Sequence, residues 1–406
     1  MKILFVHQNF PGQFLHLAPA LSERGHEVTV LTDAANQRDI KLRVYRYKFT
    51  PLSRPVNEIG LAAGIAKSLD RGQAVANAAA VLNSRHNYVP DVIVGNPGWG
   101  ETLFLKQVWP SAKLIVYAEF YYRPRGLDTD FDPEFQERSL RGDIWVASRQ
   151  QPLLLAIDAA DRALSPTAWQ ASTFPEPYRN RISVIHDGVD TERIAPDSSA
   201  VAELPGSGRT FKAGDEVLTF INRNLEPYRG YHIFMRALPK VMAERPNAHV
   251  ILIGGDDVSY GTKAPDGKTW KDIFLDEVKD RLDMSRVHFA GKVPYPVFLD
   301  LMRVTRVHAY LSYPFVLSWS MIEAMSAGAL IVGSRTPPVE EVIKDGVNGR
   351  LVDFFDVEGW SKALIEALAE PKRFEPLRAA ARQTAIANYD LKTKCLPELI
   401  ELVESA

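Results

Sequence analysis

One cysteine in 406 residues, Cys395, can form no internal disulfide and no cysteine-built metal site, and it fits a reducing compartment. Long apolar runs are missing as well. The opening MKILFVHQNF has one lysine and a five-residue apolar-rich run, far short of a signal-peptide core. No stretch approaches the roughly 20 apolar residues needed to span a bilayer. Neither sign of charge dominates: the formal charge is -2 and the pI about 6.5, which argues against nucleic acid as the main partner. A cytoplasmic location is expected, with peripheral contact at the inner face of a membrane left open. The first βα turn, HQNFPGQF, lacks G-x-G-x-x-G, and the chain has no G-x-x-x-x-G-K-[ST].

What is present is a folded, two-domain composition. A 46% hydrophobic and 24% charged chain of this length exceeds one ordinary core. KILFV, a helical pattern stopped at Gly25, and EVTVLT form a βαβ unit from the third residue. Apolar runs continue in DVIVGNP, KLIVYAEF, RALSPT and RISVIHDG, which read as one doubly wound parallel sheet. Around residues 190–216 the pattern lapses into PDSSAVAELPGSGRTFKAGDE, rich in Pro, Gly, Ser and charge, which reads as a linker. A second βα series follows in VLTFINR, AHVILIGGD, RVHFAGKV, VHAYLSY, ALIVGSR and GRLVDFFD, and the last segment, LPELIELVESA, is an amphipathic helix. The expected domains are residues 1–195 and 216–387, both α/β. Ligands of such sheets bind at the carboxyl ends of the strands.

Three turns carry candidate chemistry. Gly12 admits a close backbone approach or merely permits its turn, and Gln13 beside it is a candidate acceptor contact. In NRNLEPYRG, Arg223 and Arg229 flank a loop between a strand end and a helix start, where guanidinium forks suit phosphate oxygens; solvated surface arginines are the alternative. In YPFVLSWSMIEAM, the N–H groups from Leu317 through Ser318 and Trp319 to Ser320 begin a helix and suit a phosphate. Glu323, one turn on, could accept from a ribose diol. The plainer reading makes Ser318 or Ser320 a helix cap and Glu323 a first-turn acid.

Taken in order, RGHEVTVLT, ISVIHDGVDTERIAP, NRNLEPYRG, VHFAGKV and IEAMSAGALIVGSRTPPVEEVIKDGVNGRLV resemble the family 4 glycosyltransferases of the GT-B fold. The resemblance implies two Rossmann-like domains facing across a cleft and retaining transfer from a nucleotide diphosphate sugar, UDP- or GDP-linked, with no metal. It implies acceptor binding (a glycan or a lipid-linked acceptor) by the first domain and donor binding by the second. It also implies a terminal helix, residues 388–406, packed back on the first domain. The family's Arg-x4-Lys-Gly element falls with Arg229 at the lysine position, Asn224 at the arginine position and Arg223 one residue early. Glu323 matches the second glutamate of Glu-x7-Glu, and Gly291, Lys292 and Val293 match the segment that holds the base.

The departures are specific. Phe315 stands where the first motif glutamate contacts the donor sugar, which implies an altered sugar pocket. Pro337 and Pro338 replace a Gly-Gly and remove two N–H donors. Glu119 replaces a histidine near the acceptor and is a secondary candidate for proton transfer. Two rivals stay open: a non-catalytic GT-B nucleotide-binding subunit and a nucleotide-sugar epimerase.

Overall fold

The computed structural model describes residues 1–50, 60–135, 139–206 and 208–406. The chain divides into two units, Met1–Asp187 with Lys392–Ala406, and Gly188–Leu391.

The first unit is built on a seven-stranded sheet ordered β3-β2-β1-β4-β5-β6-β7. Its strands are β1 (Lys2–Val6), β2 (Glu27–Asp33), β3 (Arg43–Tyr47), β4 (Val92–Gly95), β5 (Lys113–Tyr117), β6 (Arg162–Ser165) and β7 (Ile182–Val184). Every pairing is parallel. Both faces are buried, which is why β1 reads as a continuous apolar run. Ile3 and Phe5 pack with α1 (Leu17–Glu23) and the terminal helix Leu396–Glu404. Leu4 and Val6 pack on the other face with α2 (Ala63–His86) and α3 (Leu140–Ala159). Glu404 ties the terminal helix down by accepting from Arg24 at 2.8 and 2.9 Å and by its 2.8 Å contact with His26.

Strand β3 lies in RDIKLRVYRYK, a stretch whose basic residues read as a solvated face. Tyr47, the last residue of the strand, is buried, while Arg43 and Arg46 are exposed. The supposed linker is also folded. Residues Val201–Glu203 (β8) and Thr210–Lys212 (β9) form an antiparallel hairpin whose Ala202, Leu204 and Phe211 enter the second unit's core. Its three-residue strands are too short to stand out in a stretch of sequence rich in Pro, Gly and Ser.

The second unit has a parallel six-stranded sheet ordered β12-β11-β10-β13-β14-β15. The strands are β10 (Val217–Asn224), β11 (His249–Gly255), β12 (Val287–Gly291), β13 (Val307–Tyr310), β14 (Leu330–Ser334) and β15 (Arg350–Val352). Helix α4 (Tyr231–Glu244) covers one face, where Phe234 stacks on Phe220 with centroids 4.5 Å apart. On the other face lie α5 (Tyr295–Val304) and α6 (Trp319–Ala327), through Leu301, Met302, Met321 and Met325. Strand order reverses between β10 and β13, so their carboxyl ends frame the crevice where ligands of open α/β sheets bind.

Candidate functional site

The candidate site is assembled at that reversal. Strand β10 carries a bulge: Ile221 pairs with Ile253, but Asn224 pairs with Gly255, so one extra residue lies on β10. The bulge lies where the sequence carries its arginine one residue early. Asn224 is turned inward and is 5% exposed, whereas Arg223 is exposed. Asn224 Nδ2 donates to Ser259 Oγ at 2.7 Å, and its buried Oδ1 accepts no hydrogen bond among the described residues. Gly255 is closed in by the same groups. A Cβ there would lie 2.5 Å from Asn224 Oδ1 and 2.7 Å from Lys292 Cε, so the ends of β10, β11 and β12 converge.

The loop after β10 turns through Pro227–Arg229 into α4, and Gly230 is left-handed at φ 68°. A Cβ at Gly230 would come within 2.3 Å of Leu311 Cβ, so only glycine fits. Glu226 fixes this loop. Its buried carboxylate accepts from the N–H groups of Ser259, Tyr260 and Gly261 at 3.0, 3.3 and 3.2 Å. Tyr260 is thereby set beside Arg229, whose guanidinium carbon lies 5.3 Å from the Tyr260 centroid and 5.5 Å from that of Phe315. Arg229 is buried, and its Nη1 donates to Ser312 Oγ at 2.7 Å and Val316 O at 2.9 Å. No carboxylate pairs with it among the described residues.

Phe315 is 2% exposed and meets the rings of Tyr228 and Tyr260 at 5.3 and 4.8 Å. Strand β13 ends at Tyr310, so Phe315 belongs to the connecting segment and not to the strand end. Leu317 is buried and Trp319 is 40% exposed. Ser318 caps α6; its N–H donates to Tyr310 Oη at 2.7 Å and its Oγ receives the Ser320 N–H at 3.4 Å. Glu323, also buried, accepts from Tyr295 Oη at 2.8 Å, and burial raises its carboxyl above the ordinary range despite that bond. Gly291, at φ 62°, ends β12 and leads into Lys292 and Val293. Pro337 and Pro338 open a short helix, Pro337–Val342, at positions where the missing N–H groups have no intrahelical role.

In the first unit, Gly12 is left-handed at φ 52°, and a Cβ there would meet the His7 ring at 2.8 Å. Gln13 follows it, and His7 has its pKa lowered to about 4 by burial and the nearby Arg38 charge. Glu119 is exposed at the rim of a cavity of about 380 Å³ that Asn96 and Trp99 also line. Sequence reasoning missed Glu226, Tyr260 and Tyr295. Only Glu226 left a signal, as an acid inside a strand-to-helix loop.

Two family descriptions match in tandem: "Glycosyl transferase family 4 group" over residues 24–194 and "Glycosyl transferases group 1" over residues 208–385. The chain belongs to the GT-B glycosyltransferases related to families 4 and 1. D-inositol 3-phosphate glycosyltransferases of Mycobacterium bovis and Mycobacterium tuberculosis are 28% identical to it over 247 residues, 59% of this chain and 48% of theirs. The chain therefore spans about half the length of the curated relatives it matches. Among solved structures, Anabaena HepE in complex with UDP superposes with a TM-score of 0.68 at 18% identity, covering 100% of both chains. Sucrose-phosphate synthase from Thermosynechococcus elongatus gives 0.72 at 16% identity, covering 100% of this chain and 98% of that one. These likenesses give this glycosyltransferase two Rossmann-like domains. Among the described residues no helix is long and apolar enough to cross a membrane.

Proposed function

We propose that this protein is a retaining, metal-independent glycosyltransferase. Its second unit holds a UDP- or GDP-linked sugar, and its first unit holds a glycan or lipid-linked acceptor. Arg229 carries the reading. A buried guanidinium that meets a hydroxyl, a carbonyl and two aromatic faces, and no carboxylate among the described residues, is costly unless an anion joins it. A donor pyrophosphate supplies that anion, and charge developing on the leaving phosphate is stabilised there in place of a divalent cation. Arg223 offers a second guanidinium from the strand end, and Asn224 lies between them in sequence.

The remaining assignments follow from chemistry. The Ser320 N–H, loosely held at 3.4 Å, exchanges its cap for a phosphate oxygen at small cost, while Ser318 holds the turn together with Leu317 and Trp319. Glu323 accepts from the ribose diol with the oxygen that Tyr295 leaves open, and Gly291, Lys292 and Val293 hold the base. Retention of configuration follows the family resemblance. The departing phosphate takes the acceptor's proton, with Glu119 as the secondary candidate. Gly12 and Gln13 line the acceptor side.

Phe315 favours a second reading, nucleotide binding without transfer, because a packed ring fills the position of the family's sugar-binding carboxylate. Incubation with labelled donors separates the two. Slow hydrolysis supports an enzyme, and an unchanged nucleotide sugar supports a binding subunit. The donor assignment itself is tested by calorimetry of UDP and GDP with EDTA present. Binding that disappears with the chelator and returns with magnesium or manganese overturns metal independence, and no binding of either nucleotide overturns the donor site.

A further inference from the structure

The cavity in the first unit is walled by α2, the turn after β4, the segment after β5 and α3. Three cations line it. Lys67 and Arg71 stand four residues apart on one face of α2, and Arg149 reaches in from α3. Glu119 is the acid among the lining residues.

The cations are held differently from ordinary surface charges. Arg71 is 7% exposed; its Nη1 donates to Asp33 Oδ2 at 2.9 Å and to Tyr47 Oη at 3.1 Å, but its buried Nε has no partner among the described residues. Arg149 is clamped between rings, its guanidinium carbon 4.8 Å from the Trp145 centroid and 5.2 Å from that of Tyr122. Such stacking leaves the guanidinium edge open for an oxyanion. Neither Lys67 nor Arg149 joins an ion pair among the described residues. Asn96 and Trp99 add the amide and the ring face that sugar hydroxyls and C–H edges use.

We propose that this cavity takes an anionic acceptor, a sugar bearing a carboxylate or a phosphate, with Lys67, Arg71 and Arg149 on the charged group. The proposal rests on the assignment of the first unit to the acceptor. A volume of about 380 Å³ suits a small ligand, so the acceptor's terminal residue is what it reads.

Calorimetry on the full chain tests it, with glucuronate, glucose 6-phosphate and glucose as probes and UDP titrated in parallel. At least one anionic sugar is expected to bind roughly tenfold or more tightly than glucose, and the one favoured tells carboxylate from phosphate. Lys67→Gln and Arg149→Gln, both at exposed positions, should each weaken it roughly tenfold and leave UDP affinity unchanged. Equal binding of glucose, no binding of either anionic sugar, or unchanged affinity in both variants overturns the proposal. Intact UDP binding beside any of those failures leaves the donor reading standing. Loss of UDP binding beside intact anionic-sugar binding sinks the donor reading alone.

Discussion

The guanidinium of Arg229 lies 5.5 Å from the centroid of Phe315, and Tyr260 flanks both. A ring beside a buried cation gives cation–π attraction without neutralising it. The charge therefore stays available to a ligand. Phe315→Glu is expected to lower stability by about 3 kcal/mol or more, since it removes a packed ring and buries a carboxylate. It should also weaken UDP binding by pairing with Arg229. Urea unfolding and UDP titration on the same variant check this. Parental stability and parental affinity together would show that position 315 touches neither core nor phosphate site.

Arg229→Met separates binding from folding. Replacing a buried charge by an apolar side chain of similar length is often neutral or stabilising, whereas losing charge-assisted bonds to phosphate costs about 1.5–3 kcal/mol. UDP affinity should fall roughly ten- to a hundredfold while the melting temperature holds or rises. A variant that melts early and binds UDP normally would make Arg229 a structural residue.

Arg229 and Glu323 were legible in the sequence because each is a charge placed in a strand-to-helix connection, where an anion or a diol is the expected partner. The strand series was legible for the same kind of reason: both sheets are buried on both faces, so most strands are apolar runs. What holds the site was not legible. Glu226 grips backbone N–H groups 33 to 35 residues downstream, and Tyr295 reaches Glu323 from 28 residues away. Such pairings depend on how strand ends line up across the sheet, and backbone donors have no residue type to read. The bulge at Asn222 and Arg223 showed in the sequence only as a misplaced arginine. Strand β3 and the hairpin were lost because charge and turn residues outweighed the single buried position in each short strand.

Glu323 gives opposite pH responses in binding and stability. Burial raises its folded-state pKa, so its contribution to stability is complete below the unfolded value, ordinarily about 4.3, and is lost as pH rises through the folded value. Nucleotide binding needs the ionised form and should weaken as pH falls through that raised value. Glu323→Gln should bind UDP more weakly than the parent at pH 8, yet unfold at higher urea there. A variant with parental UDP affinity across the pH range would leave Glu323 as a buried structural acid of α6.

Glu101 makes the sharper titration. It is completely buried beside Arg71 and Tyr47; Oε1 accepts from Tyr47 Oη at 3.1 Å, and Oε2 accepts no hydrogen bond among the described residues. Burial carries its pKa from 4.5 to about 7, a rise that Arg71 and the Tyr47 bond only partly oppose. Between those values the folded protein holds a proton that the unfolded chain has released, so stability declines as pH rises through this window. A shift of this size is worth on the order of 3 kcal/mol. Glu101→Gln, which keeps the shape and removes the charge, should flatten that decline and exceed the parent's stability at pH 8. Urea unfolding of both proteins from pH 5 to pH 8 decides it, and parallel profiles would mean that Glu101 stays ionised in the folded protein, compensated by Arg71.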